Sequence, residues 1–178
     1  NKNQAGQSIA QEYAHFRSGN IPGTELVPAD SFDEAIIEIF DDIFARMRDK
    51  VIKNPDKTIC VFLWRAACTA IESAHRYGFR NTLHLGLSRD EHTGVASMYY
   101  EGDDVARRID ASTEFLIVDP MFATGGSMIK VIEYLKSFGA NPQNMSLASV
   151  VSAAPGVARV LNEHPVKHIM VGKSDGCL

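Results

Sequence analysis

Phe115-Leu116-Ile117-Val118-Asp119-Pro120-Met121-Phe122-Ala123-Thr124-Gly125-Gly126-Ser127 is the stretch whose reading decides the fold. Four apolar residues run directly into an acid. A run of four is too short for a buried helix and reads as a central strand of a parallel sheet. Beyond the loop, Met128, Val131, Ile132, Leu135 and Phe138 recur at helical spacing, so residues 128–138 read as a helix packed on that sheet. Gly139 stands where a left-handed C-terminal cap is expected. Strand, small-residue loop and helix N-terminus in succession gather unpaired backbone N–H groups at the positive end of a helix dipole, which makes an anion site. Gly125 and Gly126 let the backbone approach an anion without a Cβ in the way. Thr124 and Ser127 add hydroxyl donors. The ligand implied is a phosphate monoester. The competing reading is an ordinary strand-to-helix turn built of small residues.

Two common phosphate loops are excluded by the letters. A Walker A loop needs Gly-Lys-Ser/Thr, and here Gly126 is followed by Ser127, with no Lys before Lys130. A dinucleotide fingerprint needs Gly-x-Gly-x-x-Gly, which is absent. What remains is an acid at a strand end with a Thr-Gly-Gly-Ser cradle shortly after it. That spacing suits a sugar phosphate, the carboxylate accepting from two ribose hydroxyls while the loop holds the 5′-phosphate.

Working outward, strands and helices alternate from Thr58 to the end, which means a parallel α/β sheet flanked by helices. Residues 58–63 and 81–87 read as strands, with a helix between them that runs through Ala74 and ends near Gly78. Residues 145–151 and 167–171 read as two more strands, with a helix between them that Pro155 opens. Residues 91–104 have no clear period and hold Tyr99 and Tyr100, so they read as a hairpin or flap. Toward the start, Ser31-Phe32-Asp33-Glu34 has the form of a capping box. Ile36, Phe40, Ile43, Phe44, Met47 and Val51 then recur at helical spacing, giving a long helix over 32–50. Residues 8–17 read as a short helix and 18–23 as a loop. The expectation is one domain, with a helical part over 1–55 and an α/β core over 56–178. A chain of 178 residues is long enough to bury roughly 70% of its unfolded surface.

Composition excludes several partners. Formal net charge is −4 and no basic run exceeds two residues, so nucleic acid is not expected. No apolar run approaches the ~20 residues that cross a bilayer, and the polar start shows no signal peptide. Three cysteines, Cys60, Cys68 and Cys177, are too few and too scattered for a disulfide framework or a zinc site. Cys60 falls in a strand and Cys68 in a helix, so both read as structural thiols in a reducing cytoplasm. His164 and His168 are separated by Pro165 and make no helical metal pair.

Residues 119–127 resemble the phosphoribosyl-pyrophosphate (PRPP) loop of the uracil phosphoribosyltransferases. Asp119-Pro120-Met121, where most type I phosphoribosyltransferases carry two adjacent acids, marks the uracil branch. Gly86-Leu87-Ser88-Arg89-Asp90-Glu91 resembles that family's Gly-x-x-Arg-Asp-Glu, and Tyr99-Tyr100 follows where the family has a Tyr pair. Ala153-Ala154-Pro155-Gly156-Val157 resembles the segment after its next strand. The resemblance runs from about Cys60 to the end. It implies a type I phosphoribosyltransferase fold with a flap hairpin, joining PRPP to a pyrimidine base, uracil, with Mg²⁺ bound mainly through the substrate. Residues 119–127, from Asp119 through Pro120, Met121, Phe122, Ala123, Thr124, Gly125 and Gly126 to Ser127, would bind PRPP. Asp119 would sit beside the developing positive charge. Arg65 and Arg89 would take the pyrophosphate, since a guanidinium fork suits phosphate oxygens; Arg65 matches the Arg of the family's Arg-Ala-Gly and Arg89 that of its Arg-Asp-Glu. Tyr99 and Tyr100 would cover the bound substrate, or pack within the hairpin.

Two departures stand out. Arg-Ala-Gly reads here Arg65-Ala66-Ala67, after an unusual Trp64. The Pro-Gly-x-Gly-Asp segment with which the family reads its base is absent, so the intact polypeptide is expected to extend past Leu178. A relative that uses another base, and a non-catalytic protein that binds PRPP or a nucleotide, stay open. The apolar stripe over 32–50 and the resemblance both point to a homodimer.

Overall fold

The computed structural model describes residues 29–64, 67–89, 96–101 and 109–175. The elements are helix α1 (Ala29–Lys50), strand β1 (Ile59–Trp64), helix α2 (Ala70–Arg76), strands β2 (Asn81–Arg89), β3 (Ala96–Glu101), β4 (Phe115–Val118) and β5 (Met121–Phe122), helix α3 (Gly126–Ser137), strand β6 (Met145–Ala153), helix α4 (Ala154–Glu163) and strand β7 (His168–Asp175). A short 3₁₀ turn, Pro142–Asn144, leads into β6, with the Asn141 side chain accepting from Gln143 N at 3.0 Å.

The strands form one sheet. β1 pairs in parallel with β2 on one side and with β4 on the other. β6 pairs in parallel with β4, β5 and β7. Only β3 runs antiparallel, against β2, with a register shift between Gly86 and Leu87. β5 continues β4 in the same register against β6: Phe115 pairs with Met145, Val118 with Ala148, Met121 with Val151 and Phe122 with Ser152. The sequence reading ended the strand at Val118. The ladder is instead interrupted at Asp119-Pro120, where Pro120 has no N–H to give, and resumes without any change of register.

Both faces are covered, as a parallel sheet requires. On one side α1 and α2 bring Phe40, Phe44 and Met47 against Cys60, Phe62, Leu116, Val118 and Val150. On the other, Met128, Val131, Ile132 and Leu135 of α3 and Val160 of α4 meet Val61, Leu63, Leu85, Ile117 and Leu147. Alternate residues of each strand serve the two cores, which is why β4 and β6 are buried throughout. Truncating Phe40 or Phe44 to Ala would cost ~3–5 kcal/mol.

Several expectations are refined. α1 starts at Ala29, ahead of Ser31, so Ser31 lies inside the helix and does not open it. Ile36, Phe40, Ile43, Phe44 and Met47 are all at most 5% exposed within the chain itself. The stripe on α1 is therefore consumed by the sheet, and it no longer argues for a dimer. β2 runs two residues past Leu87. Cys68 sits in the turn before α2 rather than in a helix, half-buried. Cys60 is fully buried, and burial pushes its thiol well above the ordinary range. Gly139 has φ +93°, the left-handed cap expected at the end of α3. The expected helix over 8–17, the loop over 18–23 and Cys177 lie outside the described residues.

Candidate active site

The strand-loop-helix unit sits at the carboxyl end of the sheet, where ligands of such folds bind. Its first feature is the break in the ladder between β4 and β5. Asp119 N donates to Ala148 O at 3.1 Å, so the backbone is still tied to β6 there. One residue on, the Pro120 carbonyl accepts from Val150 N and Val151 N at 3.1 Å each, and from Ser149 Oγ at 3.1 Å. Ser149 Oγ also lies 2.7 Å from Val151 O. Pro120 has no N–H to contribute to the ladder, while its carbonyl accepts from three donors. Asp119 is held by this clamp at 8% exposure, with Met121 N donating to its Oδ1 at a long 3.5 Å. It does not cap α3, because the residue in the cap position is Gly125.

The loop follows. Phe122 is buried, Ala123 and Gly126 are half-buried, Thr124 is exposed, and Gly125 and Ser127 are buried. Gly125 has φ +76°, a left-handed conformation that favours glycine. Gly125 O accepts the first intrahelical bond, from Ile129 N at 2.9 Å. Having no side chain, Gly125 cannot cap the helix itself, and the N–H groups of the first turn have no intrahelical carbonyl to reach. With the helix dipole behind them they form a site that can hold a phosphate dianion.

Gly125 and Gly126 differ. A Cβ on Gly125 would lie 2.9 Å from Gly156 O, 3.1 Å from Val160 Cγ2 and 3.3 Å from Phe122 Cε2. A Cβ on Gly126 would meet only Thr124 Oγ1, at 3.7 Å. Gly125 is thus required by conformation and packing, whereas a Cβ on Gly126 would make only an ordinary contact with Thr124.

Of the two arginines, Arg65 lies outside the described residues, one position past the end of β1. Arg89 is the last residue of β2, at the same end of the sheet, and its side chain is outside the described set. Ala67, where the family pattern has Gly, is fully buried in the core beneath α1 and α2, and its N–H donates to Leu63 O at 3.0 Å. The substitution therefore supplies a core methyl.

Tyr99 and Tyr100 stand on β3, 53% and 48% exposed. Trp64 pairs with Gly86 across β1–β2, and Gly86 pairs with Tyr100 across β2–β3. A Cβ on Gly86 would lie 2.8 Å from Tyr100 Cβ and from the Tyr99 ring, so this glycine makes room for both tyrosines. Trp64, 43% exposed, stands edge-on to His84 at 5.7 Å. His84 in turn stacks on Phe62 at 5.6 Å. Burial, and secondarily the nearby His75, lower the pKa of His84 below its ordinary value.

Sequence reasoning missed the clamp from β6 and the packing of Gly156. The only signal for the first was a hydroxyl, Ser149, inside an apolar strand. Among the described residues, no group of three or more His, Cys, Asp or Glu could hold a metal ion. Asp119 is a hard oxygen donor at the strand end, of the kind Mg²⁺ takes together with water and substrate phosphate. No helix among the described residues is long and apolar enough to cross a membrane.

Comparison with known proteins bears on the family and the fold. The chain is 35% identical over 109 residues to a uracil phosphoribosyltransferase of Nostoc sp., covering 60% of this chain and 50% of that protein. It is 42% identical over 94 residues to one from Exiguobacterium sibiricum, covering 52% and 42%. The chain thus spans about half the length of the curated relatives it matches. Among solved structures, the AQ2163 protein of Aquifex aeolicus superposes with a TM-score of 0.78 over 99% of this chain and 85% of that one, at 16% identity. The adenine phosphoribosyltransferase (APRTase) of Giardia lamblia, complexed with 9-deazaadenine, gives 0.63 over 88% and 90%, at 15% identity. At such identities the likeness is one of fold, that of the type I phosphoribosyltransferases. The family model for uracil phosphoribosyltransferase matches residues 40–178, and this chain belongs to that family.

Proposed function

We propose that the protein transfers the phosphoribosyl group of PRPP to uracil, giving UMP and pyrophosphate. The observation that carries this is the family match spanning an acid and a glycine loop at one strand end. The bond from the anomeric carbon to the pyrophosphate oxygen breaks with its electron pair leaving on pyrophosphate. The bond to the base nitrogen forms as that nitrogen gives up its proton. Bond breaking leads, so positive charge builds on the ribose ring, as in glycoside cleavage.

The residues divide three tasks. The backbone of 123–127 and the hydroxyls of Thr124 and Ser127 hold the 5′-phosphate. Asp119 accepts from the ribose hydroxyls and sets a negative charge beside the developing cation. Arg65 and Arg89 bind the leaving pyrophosphate. Pro120, Met121 and Phe122 carry the chain between acid and cradle, and Tyr99 and Tyr100 close over the substrate. Mg²⁺, bound through PRPP and water with Asp119 as the nearby acid, would neutralise pyrophosphate charge. A cytoplasmic homodimer belongs to the same reading and rests on the family resemblance alone.

A mixture assay tests the reading: PRPP, Mg²⁺ and each common base in turn, with pyrophosphate release followed. Release with uracil supports it. Release with another base instead moves the protein to that substrate, and PRPP binding without release makes it a non-catalytic member.

A further inference from the structure

The loop of Ala123–Gly125 rests on the first turn of α4, and Gly156 makes the contact. A Cβ built on Gly156 would lie 2.1 Å from Ala123 O, 2.9 Å from Ala123 C and 3.1 Å from Gly125 N. Real Cβ atoms do not come within 3.0 Å of other heavy atoms, so any side chain here must push the loop away from the helix. α4 has no conformational need for glycine at this position, because only Gly78, Gly125 and Gly139 among the described glycines have positive φ. A glycine in a helix costs about 1 kcal/mol relative to alanine. That cost has a counterpart in the loop contact, which is reciprocal: a Cβ on Gly125 would strike Gly156 O.

The same β6–α4 unit also grips the other end of the loop. Val150 N, Val151 N and Ser149 Oγ converge on Pro120 O. α4 starts directly after β6, so hydrogen bonds fix the loop at Pro120 and contact with Gly156 fixes it at Ala123–Gly125.

We propose that Gly156 is a positioning residue for the phosphate loop. By admitting the Ala123 carbonyl onto α4, it sets the height of the Gly125 and Gly126 backbone over the anion. This rests on the phosphoribosyl reading only for the identity of the ligand. A displacement of about 1 Å in a binding element can cost on the order of 100-fold in rate, so a single methyl at this point is enough to be felt.

The test compares Gly156→Ala with Gly139→Ala. Gly139 is exposed with φ +93° and nothing within 4 Å of its Cβ position, so its variant loses stability through backbone strain alone. Three quantities are read: the ¹H–¹⁵N amide signals of residues 123–127 without ligand, the calorimetric Kd for PRPP, and KM for PRPP against KM for uracil. Gly156→Ala is expected to move the amide signals, weaken PRPP at least tenfold and raise KM for PRPP while leaving KM for uracil within about twofold. Gly139→Ala should lower Tm and do none of these. Unmoved signals with wild-type PRPP affinity overturn the assignment, as does a PRPP loss that Gly139→Ala reproduces at the same drop in Tm. If Gly156→Ala fails to fold, Val160→Ala takes its place, since it removes the methyl under Gly125 without adding bulk. Its Gly125 and Gly126 signals should shift and PRPP should weaken; unmoved signals there overturn the assignment. If wild-type protein fails to bind PRPP, the proposed function falls, and the amide signals alone decide the role of Gly156.

Discussion

Trp64 and Tyr100 face each other across the bare backbone of Gly86, their ring centroids 6.4 Å apart. Trp64 is the only tryptophan in the chain and immediately precedes Arg65. Closing the β2–β3 hairpin over a bound pyrophosphate would remove its ring from water. Titration with PRPP should therefore shift Trp64 emission to the blue in a saturable way, and Tyr100→Ala should reduce the shift. Constant emission at PRPP concentrations that saturate by calorimetry would place the ligand away from the end of β1.

The two loop glycines should separate stability from binding. Gly126 has no positive φ, and a Cβ there would meet only Thr124 Oγ1, at an ordinary contact distance of 3.7 Å. Gly126→Ala should keep or slightly raise Tm, since alanine is the better helix residue by up to ~1 kcal/mol, yet lose phosphate or PRPP binding because the methyl stands at the loop mouth. Gly125→Ala should lose binding and also roughly 1–3 kcal/mol of stability, through backbone strain at φ +76°. Denaturant melts and calorimetry of the two variants check this. Equal destabilisation of both would contradict it.

His84 supplies a pH signature. Its folded pKa lies below the ordinary value of 6.5, chiefly through burial. Between the two values the unfolded chain binds more protons than the folded one, so stability rises with pH through that window. Stability from this group is complete above about pH 6.5 and declines as pH falls toward the folded pKa. NMR titration of the His84 ring should show a midpoint below the ordinary histidine range, whereas a midpoint at or above 6.5 would contradict the burial geometry.

The parallel order of the sheet was legible because apolar runs such as Phe115–Val118 alternate with helical stripes such as Met128–Phe138, and those periods cannot be exchanged. The turn from strand to helix was legible because a glycine pair between an apolar run and a helical stripe marks such a loop. The return of the chain to the ladder after Asp119-Pro120 was not legible. It depends on pairing with β6, about thirty residues on, and no local pattern encodes a pairing at that distance. Gly156 was present only as a small residue beside a proline. Its necessity appears once Ala123 O is known to lie against it. The start of α1 was misplaced for a simpler reason: Ser31 and Glu34 have the spacing of a capping box, but Ala29 and Asp30 are equally acceptable in a first turn.

Steady-state formation of UMP from PRPP and uracil, by wild type and by Asp119→Asn at saturating substrate, tests the central claim most directly. The carboxylate matters most when the ribose ring becomes cationic. The account predicts that wild type forms UMP and that Asp119→Asn loses on the order of 10²–10³ in kcat, with a much smaller change in KM for PRPP. An unchanged kcat in the variant, or no UMP from the wild-type protein, would contradict it.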